Sequence, residues 1–171
     1  MGAEKRRGEL LNLLRRSSVP LTGAELASHF DVSRQVIVQD VAILRASGEQ
    51  IFASLQGYLI PPLLQENWKR TVIACQHTRE EIVDELGIIV DLGGKILDVI
   101  VDHPVYGELR GNLMVANRRD LRLFMESLDE TEASPLSALT RGVHLHTVEA
   151  PDQETIDEII ARLDKAGYLV K

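Results

Sequence analysis

The chain has 171 residues, 44% of them hydrophobic, and a formal net charge of −7, which is unremarkable for a globular protein and argues against a uniformly basic nucleic-acid binder. Its single cysteine, Cys75, excludes an internal disulfide and a cysteine-based zinc finger. No apolar run is long enough to span a bilayer and no signal-peptide core is present, so we expect a cytoplasmic protein with no membrane partner.

The charge is unevenly distributed along the chain. Residues 1–60 carry seven Lys and Arg against six Asp and Glu, whereas residues 61–171 carry twelve against twenty. A near-neutral, locally basic beginning and an acidic remainder indicate two parts with different partners.

The first sixty residues predict three helices. A leucine-rich stripe marks the first, "EKRRGELLNLLRRSS", and Pro20 cannot continue it. Thr22 and Glu25 have capping-box spacing for a short second helix, "GAELASHF". After the tight turn "DVS", Ser33 is a suitable N-cap for a longer third helix that Gly48 would end.

The third helix is the informative one. Its apolar residues, predicted to face a core, are Ile37, Val41 and Leu44 with Val36 and Ile43 beside them. Its start, off that stripe, exposes Arg34, Gln35 and Gln39. A short helix, a tight turn and a longer helix with exposed Arg and Gln are typical of a helix-turn-helix, whose second helix enters the major groove. Arg can bind guanine and Gln adenine, so we expect a double-stranded DNA operator; a generic helical hairpin is the alternative.

The segment "EQIFASLQGYLIP" predicts two short strands around "SLQG", a hairpin or wing. With this wing, "LTGAELASHFDVSRQVIVQDVAILRASG" resembles the winged helix-turn-helix of small bacterial repressors. The resemblance implies that Ser33, Arg34 and Gln35 contact DNA.

A domain boundary is predicted in "PPLLQEN", where two prolines favour an extended linker, giving domains 1–62 and 63–171. The second domain alternates between strands and helices. Its predicted elements in order are "RTVIACQ", "TREEIVDELG" capped by Thr78, "KILDVIVDH", "GELRGNLMV", "RRDLRLFMESLDE" capped by Asn117, the short piece "SPLSAL", "GVHLHTVEA", a helix capped by Asp152, and a last strand "YLV". The order β-α-β-β-α-β-α-β predicts an α+β domain with helices packed on one sheet.

Two histidines lie two residues apart in "GVHLHT". Strand alternation places His144 and His146 on one face, where their imidazoles could converge on one ion. An amphipathic strand with its polar residues outward is the alternative. His77 ends another strand just before an acidic helix, so a carboxylate of that helix could approach the same point. The candidate carboxylates, which geometry does not separate, are Glu81, Asp84 and Glu85.

Residues from about 70 to 171 resemble the 3H domain, through "CQHTREEIVDELGIIVDLGGKILDVIVDHPVYGEL" and "LTRGVHLHTVEAP". Together with the winged helix, the whole chain resembles the nicotinate-responsive repressors of NAD-biosynthesis and niacin-uptake genes. The resemblance implies a 3H-type α/β sandwich that binds a divalent transition metal through three histidines and a glutamate. These ligands correspond to His77, Glu85, His144 and His146.

Such ligands suit several metals; nickel or zinc is expected first, with iron, cobalt and manganese as alternatives. The resemblance also implies nicotinic acid as a co-repressor bound at this metal. We expect His103, Tyr106 and Arg110 to complete the effector pocket, since Arg suits a carboxylate. Pairing of Arg110 with Glu108 is the alternative for that side chain.

The resulting hypothesis is a homodimeric transcription repressor with no catalytic residues, whose second domain binds the metal and effector and dimerises. A homodimer is expected because two-fold operators are usual for such domains. One alternative is a metal-sensing repressor, in which the ion itself is the signal. The other is a metal-dependent enzyme acting on a pyridine carboxylate derivative, although no further motif supplies a general base.

Overall fold

The computed structural model describes residues 2–60 and 68–171. The chain divides into two compact units, Met1–Gln65 and Glu66–Lys171. The boundary predicted between residues 62 and 63 lies outside the described residues. None of the described helices is long and apolar enough to cross a membrane.

The first unit contains the predicted helices and wing. Its elements are α1 (Ala3–Arg16), α2 (Gly23–Phe30), α3 (Arg34–Ala46), β1 (Phe52–Ser54) and β2 (Gly57–Leu59). Both predicted N-caps are present. The Thr22 hydroxyl accepts from the Glu25 N–H at 3.1 Å, and the Glu25 carboxylate accepts from the Thr22 N–H at 2.7 Å. The Ser33 hydroxyl accepts from the Val36 N–H at 3.3 Å and so begins α3.

The apolar stripe of α3 forms one side of a core shared with α1 and α2. Ile37, Val41 and Leu44 are buried as predicted. The prediction for Ile43 is wrong, because its side chain is 49% exposed. Ile43 follows Ile37 by six residues, which places it about 120° around the helix from the centre of the stripe.

A buried ion pair, which the sequence pattern did not predict, connects α1 to α3. Asp40 is only 2% exposed. Its carboxylate accepts from Arg6 Nε at 2.6 Å, and Arg7 Nη1 lies 3.5 Å away. The α3 helix is therefore held against α1 by charge as well as by apolar packing.

The wing is attached to the residues before α2. Strand β1 pairs antiparallel with β2. Leu21 and Tyr58 exchange both backbone hydrogen bonds, at 2.9 and 2.8 Å. Gly57 has φ +122°, and a Cβ atom there would lie 2.3 Å from the Leu21 carbonyl oxygen. Only glycine allows this close approach, which fixes the wing beside the helix-turn-helix.

The described residues of the second unit form a four-stranded antiparallel sheet in the order β3-β6-β4-β5. Its elements are β3 (Lys69–Gln76), a 3₁₀ turn (Arg79–Glu81), α4 (Ile82–Asp91), β4 (Lys95–His103), β5 (Gly107–Val115), α5 (Arg118–Glu130), a short 3₁₀ helix (Leu136–Thr140), β6 (Val143–Ala150) and α6 (Gln153–Ala166).

The predicted strands β4 and β5 are confirmed residue for residue. Helix α4 continues past its predicted end at Gly87, because Ile89 and Val90 extend its buried stripe. The predicted last strand forms only a bridge between Leu169 and Cys75.

The three helices pack on one face of this sheet, as predicted. They share one apolar core with β3, β4, β5 and β6. Asn117 and Asp152 cap α5 and α6 by accepting from backbone N–H groups at 3.0 and 2.8 Å. On the opposite face of the sheet, Val72 and Val143 are 54% and 39% exposed.

Candidate metal centre and nucleic-acid interface

Three imidazoles converge on one carboxylate on the helix-covered side of the sheet. His77 directly follows β3, and His144 and His146 belong to β6, the strand paired with β3. Glu85 comes from the first turn of α4. All four side chains are buried, and Glu85 is 0% exposed. The strand β6 therefore does not present its two histidines to solvent.

Each imidazole directs its Nε2 atom at Glu85. His77 Nε2 lies 2.8 Å from Oε2, and His146 Nε2 lies 3.5 Å from the same oxygen. His144 Nε2 lies 3.7 Å from Oε1. One carboxylate thus meets nitrogen atoms from three residues that are up to 69 positions apart in the sequence.

The other nitrogen of each ring is bound to the main chain. The Nδ1 atoms of His77, His144 and His146 are 2.7, 2.8 and 2.6 Å from the carbonyl oxygens of Thr78, Gly142 and Asp98. A carbonyl oxygen can only accept, so each Nδ1 carries the proton. This is the arrangement that orients histidines toward a metal ion, with the outer nitrogen donating and Nε2 left as the ligand.

The cluster favours charge on its members despite its burial. Burial opposes ionisation of Glu85, but the charge of His146 and the closeness of the three imidazoles hold its pKa well below the ordinary value. Burial likewise opposes protonation of His77 and His146, yet Glu85 raises the pKa of both. A cation could therefore replace the protons that these rings share with the carboxylate.

The donor set fits a divalent transition metal. Among the described residues, Glu85 Oε1 is a buried oxygen without a hydrogen-bond partner, and such an oxygen suits a bound ion. Three imidazole nitrogens and one carboxylate are suitable ligands for zinc, nickel, cobalt or iron. The side chains that would hold such an ion are His77, Glu85, His144 and His146.

Cys75 belongs to the same cluster. Within the described part of the chain, Cys75, Glu85 and His144 each offer one ligand atom, and these atoms lie within 4.8 Å of one another. In the sequence, the single Cys75 was used only to exclude an internal disulfide and a cysteine-based zinc finger. Strand alternation was the available signal, since Cys75 precedes His77 by two residues and shares its face.

A cavity of about 30 Å³ adjoins the cluster. Besides the four candidate ligands, its walls are Ile82, Leu86, Val99, Leu113, Phe124, Pro135, Leu136 and Ser137. None of the residues predicted to bind the effector lines this cavity. Its walls come instead from α4, α5, the sheet, and the 3₁₀ helix at 136–140 with the proline before it.

The predicted effector residues lie at the β4–β5 hairpin. His103 Nδ1 accepts from the backbone N–H groups of Val105 and Tyr106, and Tyr106 is 73% exposed. Arg110 donates to Asp98 at 2.7 Å and to Glu108 at 3.1 Å. The alternative pairing of Arg110 is thus present. Register shifts in β4, between Ile96 and the residues that follow it, interrupt the alternation on which strand-face predictions depend.

The predicted DNA-reading residues are together at the start of α3. Arg34, Gln35 and Gln39 are exposed. Ser33 is also exposed, and its hydroxyl caps the helix. This helix end presents polar side chains and the positive end of the helix dipole, which suits contact with base edges and phosphate.

Comparison with known proteins agrees with this two-part construction. Residues 6–59 match an HTH domain, and residues 70–171 match the 3H domain. The chain is 44% identical over its full length to the transcription repressor NadR of Bacillus subtilis, covering 96% of that protein. It is 42% identical over 98% of its length to the probable transcription repressor NiaR of Thermotoga maritima, covering 95% of that protein. The chain therefore belongs to this family of DNA-binding transcription repressors, in which a helix-turn-helix domain precedes a 3H domain, and it is not an enzyme.

Proposed function

We propose that this repressor controls genes of NAD biosynthesis or niacin uptake, and that nicotinic acid acts as its co-repressor at a divalent metal site. The helix α3 would read a double-stranded operator through Arg34, Gln35 and Gln39, with Ser33 at the phosphate backbone. The observation that carries the metal part is the orientation of three Nε2 atoms toward buried Glu85. Nickel or zinc is the preferred ion, with iron, cobalt and manganese as alternatives.

The cavity beside the cluster supports a ligand that binds through the ion. None of its described wall residues is Lys or Arg, so a carboxylate entering it would need the metal as its cationic partner. Its 30 Å³ holds an ion or a water molecule or two, but not a pyridine ring. Binding would therefore displace wall residues such as Phe124 and Leu136. A ligand that must move part of the protein can prefer one conformation and so change DNA affinity.

We further propose a homodimer that acts in the cytoplasm, where its operator is. Helix-turn-helix proteins usually bind two half-sites with two copies. Within the described residues of the second unit, the face of the sheet opposite the helices exposes Val72 and Val143, which suits a contact between two copies. Sedimentation of the wild type and of Val72→Glu would test this, with dimer loss expected in the variant. A monomeric wild type would contradict the proposal.

The deciding experiment measures operator affinity by fluorescence anisotropy with metal-loaded protein, with and without nicotinate. We expect nicotinate to tighten binding at least tenfold, which corresponds to about 1.4 kcal/mol of coupling. Replacement of His144 and His146 by Ala should abolish both the bound metal and the nicotinate effect. Unchanged operator affinity in nicotinate would refute the co-repressor, and intact metal stoichiometry in the variant would refute the site.

Matched variants on α3 test the DNA interface separately. Arg34→Ala should weaken operator binding by about 1–3 kcal/mol if it contacts a base. Arg45→Ala removes the same charge from the exposed far end of the same helix and should have a much smaller effect. Equal losses in the two variants would indicate a general charge effect instead of a contact by the start of α3.

The buried cluster also favours a second candidate, a repressor for which the ion is the signal. A metal titration at fixed nicotinate distinguishes the two. In the co-repressor case, metal alone leaves operator affinity low. In the metal-sensing case, metal alone raises it, and nicotinate adds nothing.

A further inference from the structure

Cys75 lies beside the proposed metal site, and the proposed function gives it no role. We propose that Cys75 is a fifth protein ligand, a sulfur donor to the ion that His77, Glu85, His144 and His146 would hold. This inference rests on the proposed metal site. It adds a thiolate to a nitrogen and oxygen site and so changes which metals the site prefers.

The sheet places the sulfur beside two of the other donors, those of Glu85 and His144. Cys75 on β3 is paired directly with His144 on β6, and paired residues point to the same side of a sheet. The ligand atoms of Cys75, Glu85 and His144 are mutually within 4.8 Å. Cys75 is 0% exposed, so its sulfur faces the cluster and the core and not solvent.

An independent observation indicates an ion at this point. Glu85 Oε1, the carboxylate oxygen that His144 approaches, has no hydrogen-bond partner in the described part of the chain. Glu85 is itself fully buried. A buried carboxylate oxygen is costly to leave unpaired, and a cation bound between it and the sulfur would satisfy it.

Charge balance supports the same assignment. A divalent ion in a buried site needs two negative ligands if its charge is to be neutralised within the protein, because isolated buried charge is costly. Glu85 supplies one. Burial and the charge of Glu85 raise the pKa of the Cys75 thiol, so Cys75 would supply the second only when the metal–sulfur bond forms and its proton leaves to the solvent. A thiolate is a soft ligand and would favour zinc, nickel or cobalt over manganese.

Cobalt(II) substitution of the full-length protein tests the proposal. A cobalt–thiolate bond produces a sulfur-to-cobalt charge-transfer band in the near ultraviolet, whereas nitrogen and oxygen ligands give only the visible d–d bands. The chain has one cysteine, so the band can come only from Cys75. We expect the band in the wild type. In Cys75→Ser the band should be lost while the d–d bands of one bound cobalt remain.

Each result is decisive. Cobalt bound to the wild type without the charge-transfer band would overturn the sulfur ligand and leave the four-residue site intact. No cobalt binding at all would overturn the metal site and this inference together. X-ray absorption of the zinc-loaded wild type gives a second readout, with one sulfur expected at about 2.3 Å. The preference for zinc over manganese should fall at least about tenfold in Cys75→Ala.

Discussion

Glu85 is a fully buried carboxylate surrounded by three imidazoles. Carboxylates are rarely fully buried unless they are paired or bind metal. The sequence pattern alone left Glu81, Asp84 and Glu85 as equal candidates. Helical periodicity does single out Glu85 as the buried one, because it follows Ile82 by three residues and so lies on the buried stripe of α4. A charged residue at a core position of an amphipathic helix indicates a paired charge or a bound metal ion.

Glu85→Gln should weaken metal binding more than about 100-fold, since loss of a residue that only orients a ligand already costs about 10–100-fold. A chelator-competition titration with zinc would measure the dissociation constant. Asp84→Asn makes the same charge change one position away on the exposed side of α4. That variant should bind zinc like the wild type, and a similar loss in both would refute the assignment of Glu85.

His103, Tyr106 and Arg110 lie on a correctly predicted hairpin and outside the walls of the cavity, and their role toward an effector stays a prediction. The bounds of these two strands were easier to predict than the direction of their side chains. Register shifts interrupt the pairing of β4, and Met114 in β5 has φ +54°. Such irregularities depend on contacts across the sheet, which a local pattern does not contain.

At the scale of elements, the turn that leads into β6 determines where His144 and His146 lie. Gly142 has φ +91°, and a Cβ atom there would lie 2.3 Å from the His77 carbonyl oxygen. The Gly142 carbonyl also accepts from His144 Nδ1. This glycine therefore brings the start of β6 against the end of β3 and orients one of the imidazoles.

Gly142→Ala should lower both the stability of the second unit and its metal affinity. Gly167→Ala is the matched control, because Gly167 also has positive φ, +83°, but open space where its Cβ would be. The control should lose only the backbone term of about 1–2 kcal/mol. Thermal denaturation with and without zinc would measure the difference. Equal losses in the two variants would show that the approach to His77 has no cost.

The ion pair between α1 and α3 leads to a prediction for the first unit. Asp40→Asn should lower the denaturation midpoint of the helix-turn-helix and weaken operator binding, because α3 loses its charged anchor. Glu49→Gln removes the charged partner of the half-exposed Arg15, and an ion pair of this kind contributes little. Guanidinium denaturation of both variants should show a clear loss only for Asp40→Asn. A wild-type midpoint in Asp40→Asn would contradict the anchoring role.

For the whole molecule, the order of elements along the chain was predictable and the order of strands in the sheet was not. Caps at Thr22, Ser33, Asn117 and Asp152 are local signals, and each is confirmed. The strand order β3-β6-β4-β5 depends on pairing between segments about seventy residues apart. No periodicity within a strand encodes its neighbours, so the closeness of His77 to the two histidines of β6 had to come from a family resemblance.

Two units with separate cores should respond differently to loss of the metal. A ligand that binds only the folded state stabilises it by about 2.7 kcal/mol at 100 times its dissociation constant. Chelation should therefore lower the melting temperature of the second unit and leave the first unchanged, as calorimetry would resolve. The variant with His144 and His146 replaced by Ala should show no such shift. A wild type indifferent to chelator would argue against a resident ion.

The contacts of the three Nδ1 atoms have an evolutionary consequence. Their acceptors are the carbonyl oxygens of Thr78, Gly142 and Asp98, which every amino acid possesses. Substitutions of neighbouring side chains cannot delete these acceptors; only a change of backbone path can. Relatives could therefore remodel the cavity wall to admit a different small molecule while keeping the same imidazole tautomers. In this fold, the residues that select the ligand can diverge. The backbone carbonyls that set the direction of each imidazole ring must be kept.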